Sequence, residues 1–203
     1  MQLTRSGILS ALLASLIHGV SLAASAESQR VETIAHERCE ACHGQGGQGN
    51  NSMFPKLSGQ NETYLVQQMF NFKSRARRSS VMEPQLADLS GDDIAQLARY
   101  FSQRKLNPSP SDDQTLSALG RTIYMEGNPV SGVAACYVCH GTNARGGQML
   151  PRLAGQHAEY LKLQLRRFIE RSRTTDQTLM HSVASRMTEQ EIHAVSHFLA
   201  GLN

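Results

Sequence analysis

Cys39-Glu40-Ala41-Cys42-His43 and Cys136-Tyr137-Val138-Cys139-His140 are the two stretches from which the rest of the chain is read. Each is C-x-x-C-H, the attachment signature for a c-type haem. On a helical turn, residues three apart share one face. Two thiols so placed can bond to the two vinyl groups of one porphyrin, and the adjacent histidine supplies an imidazole to the iron. The two copies use all four cysteines of the 203-residue chain. Two structural disulfides are the weaker reading, because each would join positions three apart and be followed each time by histidine. Zinc is weaker still, since each motif would have to find further ligands.

The motifs sit inside an internal repeat. Cys39 and Cys136 are 97 positions apart, as are His43 and His140. With an offset of 96, Met53-Phe54-Pro55-Lys56-Leu57-Ser58-Gly59-Gln60 matches Met149-Leu150-Pro151-Arg152-Leu153-Ala154-Gly155-Gln156. Tyr64-Leu65, Gln68, Phe72, Arg75 and Arg77 then match Tyr160-Leu161, Gln164, Phe168, Arg171 and Arg173. Near each end the offset is 98, pairing Met82 with Met180, Ser90 with Thr188 and Ile94 with Ile192. Such single-residue shifts belong in loops of a duplicated domain. Residues 107–113, rich in proline, serine and acid, read as a linker. The expected division is a first domain over 27–106 and a second over 114–203. Each is small for a self-sufficient core, and a covalently held apolar porphyrin would enlarge that core.

The pattern is helical throughout, with no convincing alternating strand. Helices are expected over 28–38 and 115–126, each leading to a haem motif, the second by way of the loop Gly127–Gly132. Apolar groups at helical spacing mark 61–73 (Tyr64, Leu65, Met69, Phe72) and 157–171 (Tyr160, Leu161, Leu165, Phe168). The last helix of each copy opens on a capping box, Ser90-x-x-Asp93 and Thr188-x-x-Glu191. An inward stripe follows in each: Ile94, Leu97, Ala98, Phe101 and Ile192, Val195, Leu199.

His43 and His140 are the expected proximal iron ligands. The second axial ligand separates electron transfer from catalysis, and the candidates are Met53, Met69, Met82, Met125, Met149, Met180 and Met187. Only Met53/Met149 and Met82/Met180 align methionine with methionine across the repeat. The first pair lies too soon after the histidine to reach the opposite haem face and reads as packing. Met82 and Met180 follow their histidines by 39 and 40 residues, across a helix, and are the expected ligands. His181 competes at the second site, but its counterpart is Glu83. Pro55 and Pro151 could present a carbonyl to the histidine's other nitrogen. Arg75, Arg77, Arg171 and Arg173 read either as contacts for haem propionates or as a solvated basic face. Tyr64, Tyr160, Phe72 and Phe168 read as walls of the haem pocket or core.

The N-terminus reads as an export signal over residues 1–26. Arg5 is followed by a largely apolar run from Ile8 to Val20, and Ala24-Ser25-Ala26 offers a cleavage site. That run falls short of the roughly 20 residues a membrane span needs. The mean hydropathy is −0.36. The formal net charge of +3 drops to about +2 without Arg5. Four propionates would bring it near −2, which excludes the basic profile of a nucleic-acid binder.

Two tandem C-x-x-C-H domains, each with P-x-L-x-G-Q, Y-L-x-x-Q, F-x-x-x-x-R and a methionine before the last helix, resemble dihaem cytochrome c4 over essentially the whole chain after the signal segment. The resemblance implies an all-α architecture of two class I cytochrome c domains related by pseudo-twofold symmetry. It implies two covalently bound haem c groups, attached at Cys39, Cys42, Cys136 and Cys139. The iron ligands it implies are His43, Met82, His140 and Met180. It further implies a periplasmic carrier of single electrons, with a quinol-oxidising complex or dehydrogenase as donor and a terminal oxidase as acceptor. Peripheral membrane association occurs in some members. The alternatives are a haem-bearing electron-transfer subunit of a dehydrogenase, as in a flavocytochrome, and a thiosulfate-oxidising or peroxidase-type dihaem enzyme. One departure is chain-specific. Members commonly carry glycine where this sequence has Arg75 and Arg171.

Overall fold

The computed structural model describes residues 27–108, 113–147 and 149–203. The expected signal segment, and positions 109–112 of the expected linker, lie outside the described residues.

The first copy begins with helix α1 over 27–34. It passes without a break into a π-helical segment, Ala35–Cys39, and then into the short α2, Glu40–His43. One-turn widenings of this kind concentrate at functional sites, and here Cys39 closes the π segment while His43 closes α2. After a 3₁₀ turn, Gln45–Gly47, come α3 (Glu62–Lys73), α4 (Met82–Leu86) and α5 (Gly91–Ser102). The second copy repeats the order with α6 (Gln114–Glu126), α7 (Tyr137–His140), α8 (Ala158–Ile169), α9 (Leu179–Ala184) and α10 (Glu189–Gly201). Here the leading helix does not run into the motif. It stops at Gly127, whose φ of 73° ends the helix. A loop closed by an isolated antiparallel bridge between Asn128 and Val133 intervenes. Among the described residues no strand forms.

Both capping boxes are complete. Ser90 Oγ accepts from the Asp93 N–H at 3.0 Å, and the Asp93 carboxylate accepts from the Ser90 N–H at 2.9 Å. Thr188 and Glu191 do the same at 3.2 and 2.7 Å. Aspartate therefore serves as well as glutamate in this position. The stripes that follow are buried as expected, and they pack into two separate apolar cores. Val31, Ile34, Ala35, Leu65, Leu86, Leu89, Ile94, Leu97, Ala98 and Phe101 form one. Ile123, Tyr124, Ala144, Ala154, Leu161, Val195 and Leu199 form the other. In the second core α6 meets α10 at Gly120, where a Cβ would stand 2.1 Å from the Ala194 carbonyl oxygen. Only glycine permits that approach.

The two copies meet through reciprocal bonds, as a twofold-related interface requires. The Gln60 amide bridges the Arg152 backbone, accepting at 2.7 Å and donating at 2.9 Å. The Gln156 amide bridges the Lys56 backbone in the same way, at 2.9 Å both times. Deeper in the seam, the buried guanidiniums of Arg77 and Arg173 cross into the opposite copy. Arg77 donates to Gln68 (2.8 Å), Gln164 (2.8 Å) and the Tyr160 hydroxyl (3.0 Å). Arg173 donates to Gln164 (2.9 Å), the Tyr64 hydroxyl (2.8 Å) and Gln68 (3.3 Å). Each guanidinium also lies 4.6 Å above a phenylalanine ring, Phe72 and Phe168 respectively.

Candidate haem-binding sites

In both copies the local fold presents the C-x-x-C-H residues on one short turn. Cys39 leans on the first core and Cys136 on the second. Cys42 is half-buried and Cys139 exposed, and none of the four is in a disulfide. Burial, and after it the charge of Glu40, pushes the Cys39 thiol up to about 11. Burial also pushes Cys136 up to about 11.

His43 and His140 are both buried. The His43 Nδ1–H donates to the Pro55 carbonyl at 2.8 Å, and the His140 Nδ1–H donates to that of Pro151 at 3.3 Å. A carbonyl only accepts, so each ring carries its proton on Nδ1. Burial lowers both histidine pKa values, so Nε2 keeps a free lone pair. That is the protonation state a metal-ligating imidazole needs, with its other nitrogen tied down. The carbonyl role expected for Pro55 and Pro151 is met in both copies, with the longer bond in the second.

Met82 opens α4, half-buried against the first core. Its N–H donates to Ser79 Oγ at 3.2 Å, and the Ser79 N–H donates to Glu83 at 2.9 Å. Met180 is the second residue of α9, and its N–H donates to the Asp176 carboxylate at 2.5 Å. Gln177 and Thr178 lie between them at φ 54° and 71°. For a β-branched residue such as Thr178 the left-handed region is an outlier, of the kind that clusters at functional sites. His181, the competing ligand, donates from Nδ1 to the Phe168 carbonyl at 2.9 Å. That bond ties its ring to the C-terminal end of α8. Met53 and Met149 are 60% and 55% exposed, so the packing role expected for them is not what the fold gives them. They lie on surface loops.

The four arginines divide. Arg75 and Arg171 are exposed turn residues at φ 64° and 58°, a conformation glycine adopts without cost. Arg77 and Arg173 enter the seam, and Tyr64 and Tyr160 meet them there rather than walling a pocket. Arg173 Nε and Gln164 Nε2 are buried donors without a partner among the described residues. A carboxylate-bearing group would satisfy them, so the residues present fit a haem with its propionates at the seam. The reciprocal Gln60 and Gln156 bridges escaped sequence reasoning. Their signal was the repeated P-x-L-x-G-Q.

Comparisons with known proteins establish the family. A family model described as cytochrome c matches residues 117–203, and one described as cytochrome c oxidase, cbb3-type, subunit III matches 26–101. Cytochrome c4 of Thiocapsa roseopersicina is 38% identical over 181 residues, covering 87% of this chain and 93% of the relative. The chain belongs to the cytochrome c4 family. A crystal structure of reduced recombinant cytochrome c4 from Pseudomonas stutzeri superposes with a TM-score of 0.81 at 33% identity, covering 88% of this chain and 98% of that one. A protein of Thiomonas intermedia described as a thiosulfate dehydrogenase electron acceptor is 38% identical over 167 residues, 80% of this chain and 77% of its own. As in other cytochrome c4 proteins, two cytochrome c domains carry two covalently bound haem c groups, and the protein is an electron-transfer cytochrome. Among the described residues no helix is long and apolar enough to cross a membrane.

Proposed function

We propose that this protein is a periplasmic dihaem carrier of single electrons. Cys39 and Cys42 hold one haem, Cys136 and Cys139 the other. His43 with Met82, and His140 with Met180, would hold the two haem irons. The domains run over 27–106 and 114–203, with 107–113 as linker and 1–26 as export signal. The observation that supports this most is the recurrence of one arrangement in both copies. Each has a buried neutral imidazole, oriented by a prolyl carbonyl, and a methionine at the start of a short helix.

Bound haem supplies one-electron Fe(III)/Fe(II) chemistry, with a potential raised by methionine ligation. The chain's own residues do the rest. Pro55 and Pro151 fix the imidazole tautomer. Met82 and Met180 as iron ligands would fill the position a substrate needs, which suits a carrier rather than an oxidase or peroxidase. Arg77 and Arg173 supply buried positive charge for propionates from both copies and tie the two domains together. The donor is a quinol-oxidising complex or a dehydrogenase, and the acceptor a terminal oxidase, met in small transient encounters. A second reading, an electron-accepting partner of a thiosulfate-oxidising enzyme, is favoured by the Thiomonas relative.

Oxygen uptake by oxidase-containing membranes, with the reduced holoprotein as sole donor, tests the first reading. Uptake that saturates with protein concentration is expected. Absence of uptake, with rapid reduction by a thiosulfate dehydrogenase, would favour the second reading. Turnover of thiosulfate or peroxide by the isolated protein would overturn both.

A further inference from the structure

The two methionine loops differ in length. Arg77 precedes Met82 by five positions, whereas Arg173 precedes Met180 by seven. The first loop enters its helix through Val81, at an ordinary right-handed φ of −86°. The second enters through Gln177 and Thr178, both left-handed, and Asp176 before them tethers the Met180 N–H. Helix α9 beyond is only six residues long. The residue after each methionine differs as well. Glu83 is committed to its own loop, accepting from the Ser79 N–H at 2.9 Å and pairing with Arg75 and Arg78 at 3.3 and 3.2 Å. His181, half-buried like Met180, is held through Nδ1–H alone, donated to the Phe168 carbonyl at 2.9 Å. No other hydrogen bond to its ring forms among the described residues. With the proton on Nδ1, the neutral ring has its Nε2 lone pair free. His43 and His140 are dressed in the same way, each by a prolyl carbonyl.

We propose that His181 is a reserve iron ligand of the second haem, taking the place of Met180 whenever the methionine sulfur leaves. The inference rests on the attachment and ligand sites proposed above. Imidazole suits iron as well as a thioether does. Successive side chains on a helix point about 100° apart, so the exchange needs α9 to turn by one residue. A six-residue helix on a loop with two residues to spare can make that turn. The turn also lets Gln177 and Thr178 leave a conformation that is unfavourable for both. The bond to Phe168 keeps the ring parked until then. In the exchange one bond breaks, from the Met180 sulfur, and one forms, from His181 Nε2. No electron moves, and that nitrogen has no proton to lose. The first haem has no such substitute, because Glu83 is committed elsewhere. Loss of the methionine therefore opens the first site to small ligands and leaves the second closed.

Electron paramagnetic resonance of the ferric holoproteins is the test, with haem content and attachment sites first read by peptide mass mapping. Fewer than two haems on the wild type, or a full-strength methionine–iron band in Met180→Ala, would overturn the underlying site assignment instead. With those in place, Met82→Ala is expected to show one high-spin iron of the two, and Met180→Ala none. Adding His181→Gln to Met180→Ala should raise the high-spin signal to that of Met82→Ala. It should also tighten azide binding at that haem by at least about tenfold, because no competing ligand then occupies the site. If the alanine variants fold poorly, warming the wild type and His181→Gln decides the matter. As the methionine–iron band is lost below the unfolding transition, the wild type should gain one high-spin iron and His181→Gln two. A high-spin signal in Met180→Ala equal to that of Met82→Ala, a low-spin spectrum persisting in the double variant, or equal gains on warming would overturn the proposal.

Discussion

Arg77 and Arg173 share two acceptors, and that sharing gives the seam a testable energetic signature. Consider Arg173→Met, which keeps an apolar stem over Phe168. The Gln164 oxygen still accepts from Arg77 at 2.8 Å, and so does the Gln68 oxygen, also at 2.8 Å. Among the protein's own acceptors only the Tyr64 hydroxyl, 2.8 Å from Arg173, loses its partner, and a propionate held at the seam would add to the cost. A buried hydroxyl left unsatisfied costs about 1–3 kcal/mol, and Tyr64 is half-buried, so about 1 kcal/mol is expected. Arg77→Met orphans Tyr160 in the same way, at about the same cost. In the double variant both shared glutamine oxygens lose every donor. The relief of repulsion between the two guanidiniums, gained in each single variant, can be gained only once. Both effects push the same way, so the double variant should be less stable than the sum of the singles by about 1–3 kcal/mol. Urea unfolding of the four holoproteins, followed by circular dichroism and by haem absorbance, measures this cycle. Coincidence of the two signals checks that one transition is being compared. Additive or sub-additive losses would refute the shared-acceptor network.

Two further outcomes follow from local geometry. Arg75→Gly and Arg171→Gly should each stabilise the protein by about 1 kcal/mol, since a left-handed conformation costs a non-glycine residue about that much. The exposed Arg75–Glu83 pair at 3.3 Å is little loss, because Glu83 keeps Arg78 at 3.2 Å. Thermal melts with no gain in either variant would count against the strain. Asp93→Asn should cost about 1 kcal/mol at pH 7 by removing the charge from the bonds that the carboxylate accepts from Arg30 and the Ser90 N–H. The Asp93 carboxyl is held well below its ordinary range, chiefly by the bond from Arg30, against opposing burial. A depressed folded-state pKa means the stabilisation is present above the unfolded value of about 3.9 and is lost as pH falls toward the folded one. The gap between wild type and Asp93→Asn should therefore narrow steadily below about pH 4, as denaturation series at several pH values would show.

The repeat, the helices and their caps could be read from the sequence because each depends on residues close together. Ser90 and Asp93 form a cap within four positions, and Ile94, Leu97, Ala98 and Phe101 declare a face by spacing alone. His43 and Pro55 were legible as a pair because the repeat set a proline 12 residues after the histidine in one copy and 11 after it in the other. The seam was not legible. Gln60 bonds a backbone 92 positions away, and Arg77 meets Tyr160 across 83. Nothing local distinguishes an arginine that enters such an interface from Arg75, two residues earlier, which faces solvent. The π segment before Cys42 was equally hidden, since the apolar spacing of that helix continues through it.

The central claim is that a methionine completes each iron's coordination, and the methionine–iron charge-transfer band of the oxidised holoprotein tests it most directly. Met82→Ala and Met180→Ala should each remove about half of that band, one haem of two, while leaving two haems attached, and the double variant should remove it entirely. A full-strength band in Met180→Ala, or in Met82→Ala, would contradict the assignment at that haem and with it the account of both sites as closed, electron-carrying centres.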